Sequence, residues 1–213
     1  YFSTMEDAEG EFFENEFETP FALLLNSIQL EEYNKQQTLS RKKEAFKDYW
    51  NRNNPNPIEE SNPWLIDFIE RNRYARQYYG RDDPPYYDDR GLYWIKYGRP
   101  IRWYRDHRTS FYSRGHFFTK YQDETWSYEN LYPDLVVHFQ KRISYFEELG
   151  PFQSLGEGRT RDFMSAMLLN ERLHVSPLIR EILQDYSSQG RFLFGNRQRK
   201  AKENAPPAVI GKE

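Results

Sequence analysis

The sequence predicts an α+β fold: N-terminal helices packed on a small, mainly antiparallel sheet, followed by a C-terminal helical pair. Three observations carry that expectation. Helix caps and stops punctuate the first 80 residues, short β-type runs take over between 92 and 142, and helix signals return after a Gly/Pro-rich link at 150–158. Hydrophobic residues make up only 38 % of the chain, but aromatics reach 18 %, and each buried ring removes roughly 150–250 Å² from water, enough to build a core with few aliphatics. The same punctuation gives the organisation: an acidic-aromatic segment over 1–25, an α+β core over 26–150, the helical pair over 151–190, and a basic tail over 191–213 expected to be disordered.

In chain order, Asn26 with Gln29 three residues later forms a capping pair ahead of Ile28, Leu30 and Tyr33. Ser40 is placed to cap the next helix, whose Ala45, Phe46, Tyr49 and Trp50 share a stripe, and Asn53-Asn-Pro-Asn-Pro57 stops it. Asn62 caps a third helix with Pro63 at its first position and Gly80 at its end; Trp64, Leu65, Phe68, Ile69 and Ala75 mark its buried side. After Arg81-Asp-Asp-Pro-Pro85 the pattern reads as β: Leu92–Tyr97, closed by Gly98-Arg-Pro100, then Gly115–Tyr121, Glu124–Tyr128 and Leu135–Arg142, the last two joined by a turn at Asn130–Pro133 as an antiparallel hairpin. Thr160 caps a helix carrying Phe163, Met167 and Leu168, and Ser176-Pro177 opens another carrying Leu178, Ile182, Leu183 and Tyr186. A short Phe192-Leu-Phe194 segment precedes the tail.

The net charge of −3 hides a polarised chain. Residues 1–20 hold Glu6, Asp7, Glu9, Glu11, Glu14, Glu16 and Glu18 with no base, and 191–202 hold Arg191, Arg197, Arg199, Lys200 and Lys202 with no acid. Between them, 21–190 carries 24 acids and 24 bases. A neutral body in an acidic chain argues against nucleic acid, which needs a positive field. No cysteine is present, so disulfides and thiol catalysis are excluded. No apolar run approaches the roughly 20 residues that span a bilayer, so membrane association is expected only through an anchor outside this sequence or through a partner.

Candidate chemistry is sparse. His107, His116, His138 and His174 lie in no metal-ligand spacing, and His138 in Val136-Val-His-Phe139 reads as a sheet residue on the polar face; no cofactor or metal is expected. No serine sits in a nucleophile elbow, and Gly156-Glu-Gly158 lacks the third glycine of a phosphate loop. Asp88, Asp89 and Glu124 stand before expected strands and would meet at one sheet end, as a hydrolase or glycan site requires. The other surface of note runs from Arg99 through Arg102, Trp103, Tyr104 and Arg105 to Arg108, with an arginine every third residue among aromatics, suited to gripping an acidic segment. In Glu11-Phe-Phe-Glu-Asn-Glu-Phe-Glu18, Phe12, Phe13 and Phe17 either pack on the chain's own domain or dock on a partner.

Pro85-Tyr-Tyr-Asp-Asp-Arg-Gly-Leu-Tyr-Trp-Ile-Lys-Tyr-Gly-Arg-Pro100 resembles the motif of the bacterial GWxTD family, sharing Asp89-Arg90-Gly91, Ile95 and Tyr97-Gly98-x-Pro100 in register. Tyr49-Trp50, Pro55, Pro57 and Asn62 are similar to its upstream block, and Glu124-x-Trp126-x-Tyr128 to its downstream strand. The likeness covers about 45–140; Pro85, Tyr86 and Asp88 depart from the naming residues. It implies a motif that opens a strand, an exported and often lipoprotein-like protein of Bacteroidota and related phyla, and an extracytoplasmic location, with no transferable activity. The physical reading of the motif is a scaffold: Arg90-Gly91 turning into a strand, Asp89 fixing that turn, and Gly98 supplying positive φ before Pro100. The expected role is therefore a non-enzymatic interaction or structural component of an envelope-associated assembly, its two ends engaging protein partners. The alternative is an extracytoplasmic hydrolase or glycan-binding module built on Asp88, Asp89, Glu124 and nearby rings.

Overall fold

The computed structural model describes residues 9–59, 61–113, 116–129, 131, 135–149 and 161–189. Its order is helices, a four-stranded antiparallel sheet with a separate two-stranded hairpin, then helices, which is the α+β class read from sequence. The contacts divide the chain into two compact units between Gly98 and Arg99, a point inside the expected 26–150 core.

In the first unit the acidic-aromatic segment is helical over Gly10–Ala22. α1 (Gly10–Phe13) continues through a π-helical turn (Glu14–Glu18) into α2 (Thr19–Ala22). Phe13, Phe17 and Phe21 recur every fourth residue, so helical winding stacks them on one face; all are buried and meet Phe46 edge-on at 6.1, 5.9 and 4.9 Å. Two acids of the same segment find cations in their own unit: Glu16 pairs with Arg76 at 3.0 Å and Glu18 with Lys42. α3 (Ser27–Asn34) opens on the expected Asn26–Gln29 capping box. α4 (Leu39–Arg52) starts two residues earlier than expected, because Thr38 holds the extended cap conformation and accepts from the Arg41 amide, which leaves Ser40 inside the helix. α5 (Pro63–Tyr79) is capped by Asn62 and ends at Gly80 as expected. Asn62 also donates its Nδ2 to the Trp50 carbonyl at 2.6 Å, so one buried amide ties the end of α4 to the start of α5.

The stretch expected as a strand over Leu92–Tyr97 is instead α6 (Asp89–Tyr97). Its ends explain the reversal. Asp88 is extended and accepts from the Arg90 amide, Asp89 places an acid in the first turn, Lys96 a base in the last, and Gly98 closes the helix at φ 75° with its amide on the Trp94 carbonyl at 2.9 Å. Those cap signals outweigh the β preference of Tyr, Trp and Ile, which depends on context. Gly91 and Ile95, four apart, face inward. Gly91 is therefore no turn residue; it lets α6 approach Tyr87, whose Cβ would lie 2.6 Å from any Cβ placed there.

In the second unit the sheet order is β1 (Arg102–Asp106), β4 (Asp123–Ser127), β5 (Val136–Arg142), β6 (Tyr145–Glu148), all antiparallel, and β2 (Ser110–Ser113) pairs separately with β3 (His116–Thr119). The expected pairing of Glu124–Tyr128 with Leu135–Arg142 is present as β4–β5; β1, β2 and β6 were not expected. α7 (Arg161–Asn170) and α8 (Pro177–Gln189) follow, α8 capped by the Ser176 hydroxyl, which accepts from the Leu178 amide at 3.0 Å. Leu168, Leu169, Val175, Leu178, Ile179 and Ile182 close over Val136 and Leu149 as one apolar cluster. Thr160, the link at 150–158, the turn residues Asn130, Tyr132 and Pro133, the side chains of Phe163 and Tyr186, and the 191–213 tail with its Phe192–Phe194 segment lie outside the described residues.

Alanine at position 91 separates packing from propensity. Helix preference alone would make Gly91→Ala stabilising by about 1 kcal/mol; the contact with Tyr87 makes it destabilising instead, by about 1–3 kcal/mol of overpacking. Urea unfolding of the variant against the parent checks the sign.

Candidate functional site

β1 is an outer strand of the sheet, so one of its backbone edges has no strand partner among the described residues. Alternation along β1 sends its side chains two ways. Trp103 and Arg105 lie with Glu124, Trp126 and Phe139 on one face, in register Trp103↔Trp126 and Arg105↔Glu124. Arg102, Tyr104 and Asp106 lie with Asp123, Thr125 and His138 on the other.

The four arginines of this stretch are not equivalent. Arg105 pairs with the buried Glu124 at 3.0 Å, and Trp126 Nε1 donates to the same carboxylate at 3.0 Å. Arg108 clamps Asp106 through its backbone amide, Nε and Nη2 at 2.9, 2.9 and 2.7 Å and also pairs with Glu171, which accepts from the Tyr104 hydroxyl. Among the described residues Arg99 and Arg102 have no carboxylate partner. Arg99 stacks over the Trp103 ring at 5.1 Å, and Arg102 donates only to the His174 carbonyl at 3.3 Å. Between them Trp103 remains 43 % and Ile101 39 % exposed, so the free end of β1 offers two cations interleaved with apolar surface.

Behind that surface lies a buried ladder of charge. Lys120 Nζ sits 3.0 Å from Asp106 Oδ2 and 2.6 Å from Asp123 Oδ2. Asp123 Oδ1 is taken by Arg172, which is fully buried, reaches the Leu168 carbonyl, and donates Nε to Thr125 Oγ1 at 3.0 Å. Thr125 Oγ1 in turn shares a 2.7 Å hydrogen bond with His138 Nδ1, and Arg172 lies over the Tyr104 ring at 4.7 Å. Burial resists ionisation of Asp106, but hydrogen bonds from Arg108 and Lys120 outweigh it and hold the carboxyl well below the usual carboxylate range. Hydrogen bonding to Asp106 raises Arg108 in return. Tyr104 is raised by burial and by its bond to Glu171. Each acid in the ladder meets a cation, so the arrangement fixes strands.

The remaining expected site residues are divided between the two units. Asp88 is the α6 cap and is clasped by Arg90 at 2.7 Å; Asp88 and Asp89 belong to the first unit and Glu124 to the second, each of Asp88 and Glu124 held by partners in its own unit. Phe13 and Phe17 are core residues of the first unit, and of the three phenylalanines only Phe12 is exposed. Trp50, Asn62, Gly91, Tyr97, Gly98, Pro100, Trp126 and Tyr128 are buried, Arg90 lies over the Tyr79 ring at 4.8 Å, and Pro55 and Pro57 occupy the link between α4 and α5. His138 is a sheet residue on the polar, though buried, face. The His107 carbonyl accepts from Gln122, His174 meets Tyr104 edge-on at 5.8 Å, and the His116 side chain lies outside the described residues. Among the described residues no three His, Asp or Glu side chains are placed to hold a metal ion. No helix there is long and apolar enough to cross a membrane. Sequence reasoning missed Lys120 and Arg172, which are isolated bases in the chain, lie outside the strands, and reach Asp123 only once the unit has folded.

The ladder has a thermodynamic signature. Arg172→Met leaves Asp123 with one cation instead of two and is expected to cost about 3–5 kcal/mol, read by chemical denaturation. The unfolded chain binds a proton at Asp106 near its ordinary value of about 3.9, whereas the folded chain binds it only at lower pH. The stability from Asp106 is therefore complete above that value and is lost as pH falls through and below it. Thermal midpoints measured from pH 7 to pH 3 should fall steeply at the acid end, and less steeply in Asp106→Asn.

No family model, curated protein or solved structure matches this chain.

Proposed function

We propose that the protein is a non-enzymatic interaction module that takes an extended acidic segment of a partner protein along the outer edge of β1. The observation that supports this reading is the coincidence, on one outer strand, of exposed Ile101 and Trp103 with a backbone edge and two arginines that have, among the described residues, no strand partner and no carboxylate partner. An added strand gains main-chain hydrogen bonds from the edge. Its carboxylates meet Arg99 and Arg102, and its apolar side chains cover Trp103 and Ile101. Arg105 and Arg108 take no direct part, since both serve internal acids.

The reading moves the partner surface away from Phe13 and Phe17, which the first unit uses for its own core. It also rests on β1 alone. The segment that resembles the GWxTD motif, expected to open a strand, here opens α6.

A capped peptide alternating glutamate with phenylalanine should bind the full chain, and more weakly as salt is raised. Charge reversal in Arg99→Glu/Arg102→Glu should weaken it at least roughly tenfold, about 1.4 kcal/mol, in calorimetric titration. Equal affinity in the variant, or no binding to the parent, removes the proposal.

A further inference from the structure

The β5–β6 hairpin carries a cost that the stability of the fold does not explain. Arg142 and Tyr145 are paired residues, so the connection consists of Ile143 and Ser144 alone. Ile143, the first of the two, stands at φ 35°. Left-handed backbone is especially unfavourable for a β-branched residue, and tight hairpin turns place Gly, Asn or Asp there. The same side chain is 100 % exposed. A lone exposed apolar residue is ordinary. One held in a strained turn is not, because glycine at that position would relieve the strain and remove apolar surface from water together.

The surroundings select what meets it. Lys141 and Arg142 immediately precede the turn and, as neighbours in a strand, flank it on opposite faces of the sheet. The acids of the hairpin lie behind them: Glu147 stands opposite Gln140 and Glu148 opposite Phe139. Arg142 meets Glu147 at 3.8 Å with both side chains half in solvent, a contact worth little. Its guanidinium also lies over Tyr121, 5.2 Å from the ring centroid, and Tyr121 is itself exposed at the entrance to β4. The apex is thus apolar and its collar is two bases and a tyrosine, with a base on each face rather than a wall on one side. That arrangement is complementary to an anionic bilayer, where an alkyl group reaches the acyl boundary, a tyrosine ring sits at headgroup level and bases meet lipid phosphates. The tip is also clear of Ile101, whose amide bonds the Ser127 carbonyl at the opposite end of β4.

We propose that the β5–β6 tip is a peripheral membrane contact, which places Ile143 into the surface of an anionic phospholipid bilayer with Lys141 and Arg142 on the headgroups. It is independent of the partner edge on β1.

Co-sedimentation of the full chain with vesicles of equal parts phosphatidylcholine and phosphatidylglycerol, and with vesicles of phosphatidylcholine alone, tests this. The chain should bind the anionic vesicles, and the neutral ones at least roughly tenfold more weakly, as two bases at an anionic surface imply. Lys141→Gln/Arg142→Gln should bring anionic binding down to the neutral level. Ile143→Gly should weaken anionic binding roughly tenfold without lowering the thermal midpoint, since glycine accepts the positive φ. Ile143→Leu, which keeps the apolar group, should bind like the parent. A purely structural role for Ile143 gives the reverse pattern in the glycine variant, a lower midpoint with binding unchanged. Failure of the parent to bind anionic vesicles, equal binding to both vesicle types, or undiminished binding by Ile143→Gly overturns the proposal.

Discussion

Asp106 and Asp123 stand directly opposite each other across β1 and β4. Like charges in that position push strands apart, and both side chains are buried, where the repulsion is least screened. The pairing of β1 with the sheet therefore depends on Lys120, whose ammonium lies within 3.0 Å of both carboxylates. Arg108 and Arg172 bind the two carboxylates from either side, so these five groups and Glu171 form an alternating chain of sign. Everything proposed for the β1 edge rests on this arrangement, because it decides which arginines of the strand are consumed and which are left over.

The two units are held together by different physics. In the first, rings do most of the work: Phe13, Phe17, Phe21, Phe46, Trp50 and Phe68 contact one another at centroid distances from 4.9 to 6.3 Å, half of them edge-on. Such contacts are non-ionic and indifferent to pH. In the second, an aliphatic cluster under α7 and α8 is joined to a buried ionic ladder. Buried ion pairs add little net stability against an apolar alternative, yet breaking one is expensive. What the ladder supplies is register: a slip of β1 by one residue would bring Arg105 or His107 opposite Asp123 and turn Asp106 to the other face.

Features encoded locally were legible in the sequence. The Asn26–Gln29 box, the Asn62-Pro63 start, the Gly80 stop and the Ser176-Pro177 start each require residues within a turn of one another, and each is present. The α6 error came from reading alternation across six residues while assigning Asp88, Asp89 and Gly98 to turns; the same three residues are a helix start and stop. β1 escaped notice because its charged residues resemble a solvated surface run, and only its pairing with β4 shows that Asp106 is buried. Nothing in the sequence marked Lys120 or Arg172. Their partners lie 3 to 49 positions away along the chain and are brought within reach only by the sheet.

Amide hydrogen exchange in Lys120→Met measures that dependence most directly. Without the ammonium, Asp106 and Asp123 face each other across the strands, so the amides at the β1–β4 pairing should lose protection while those at β5–β6 keep theirs. Protection of β1 equal to that of the parent would show that the strand is held by something other than Lys120, and would contradict the role given to the ladder.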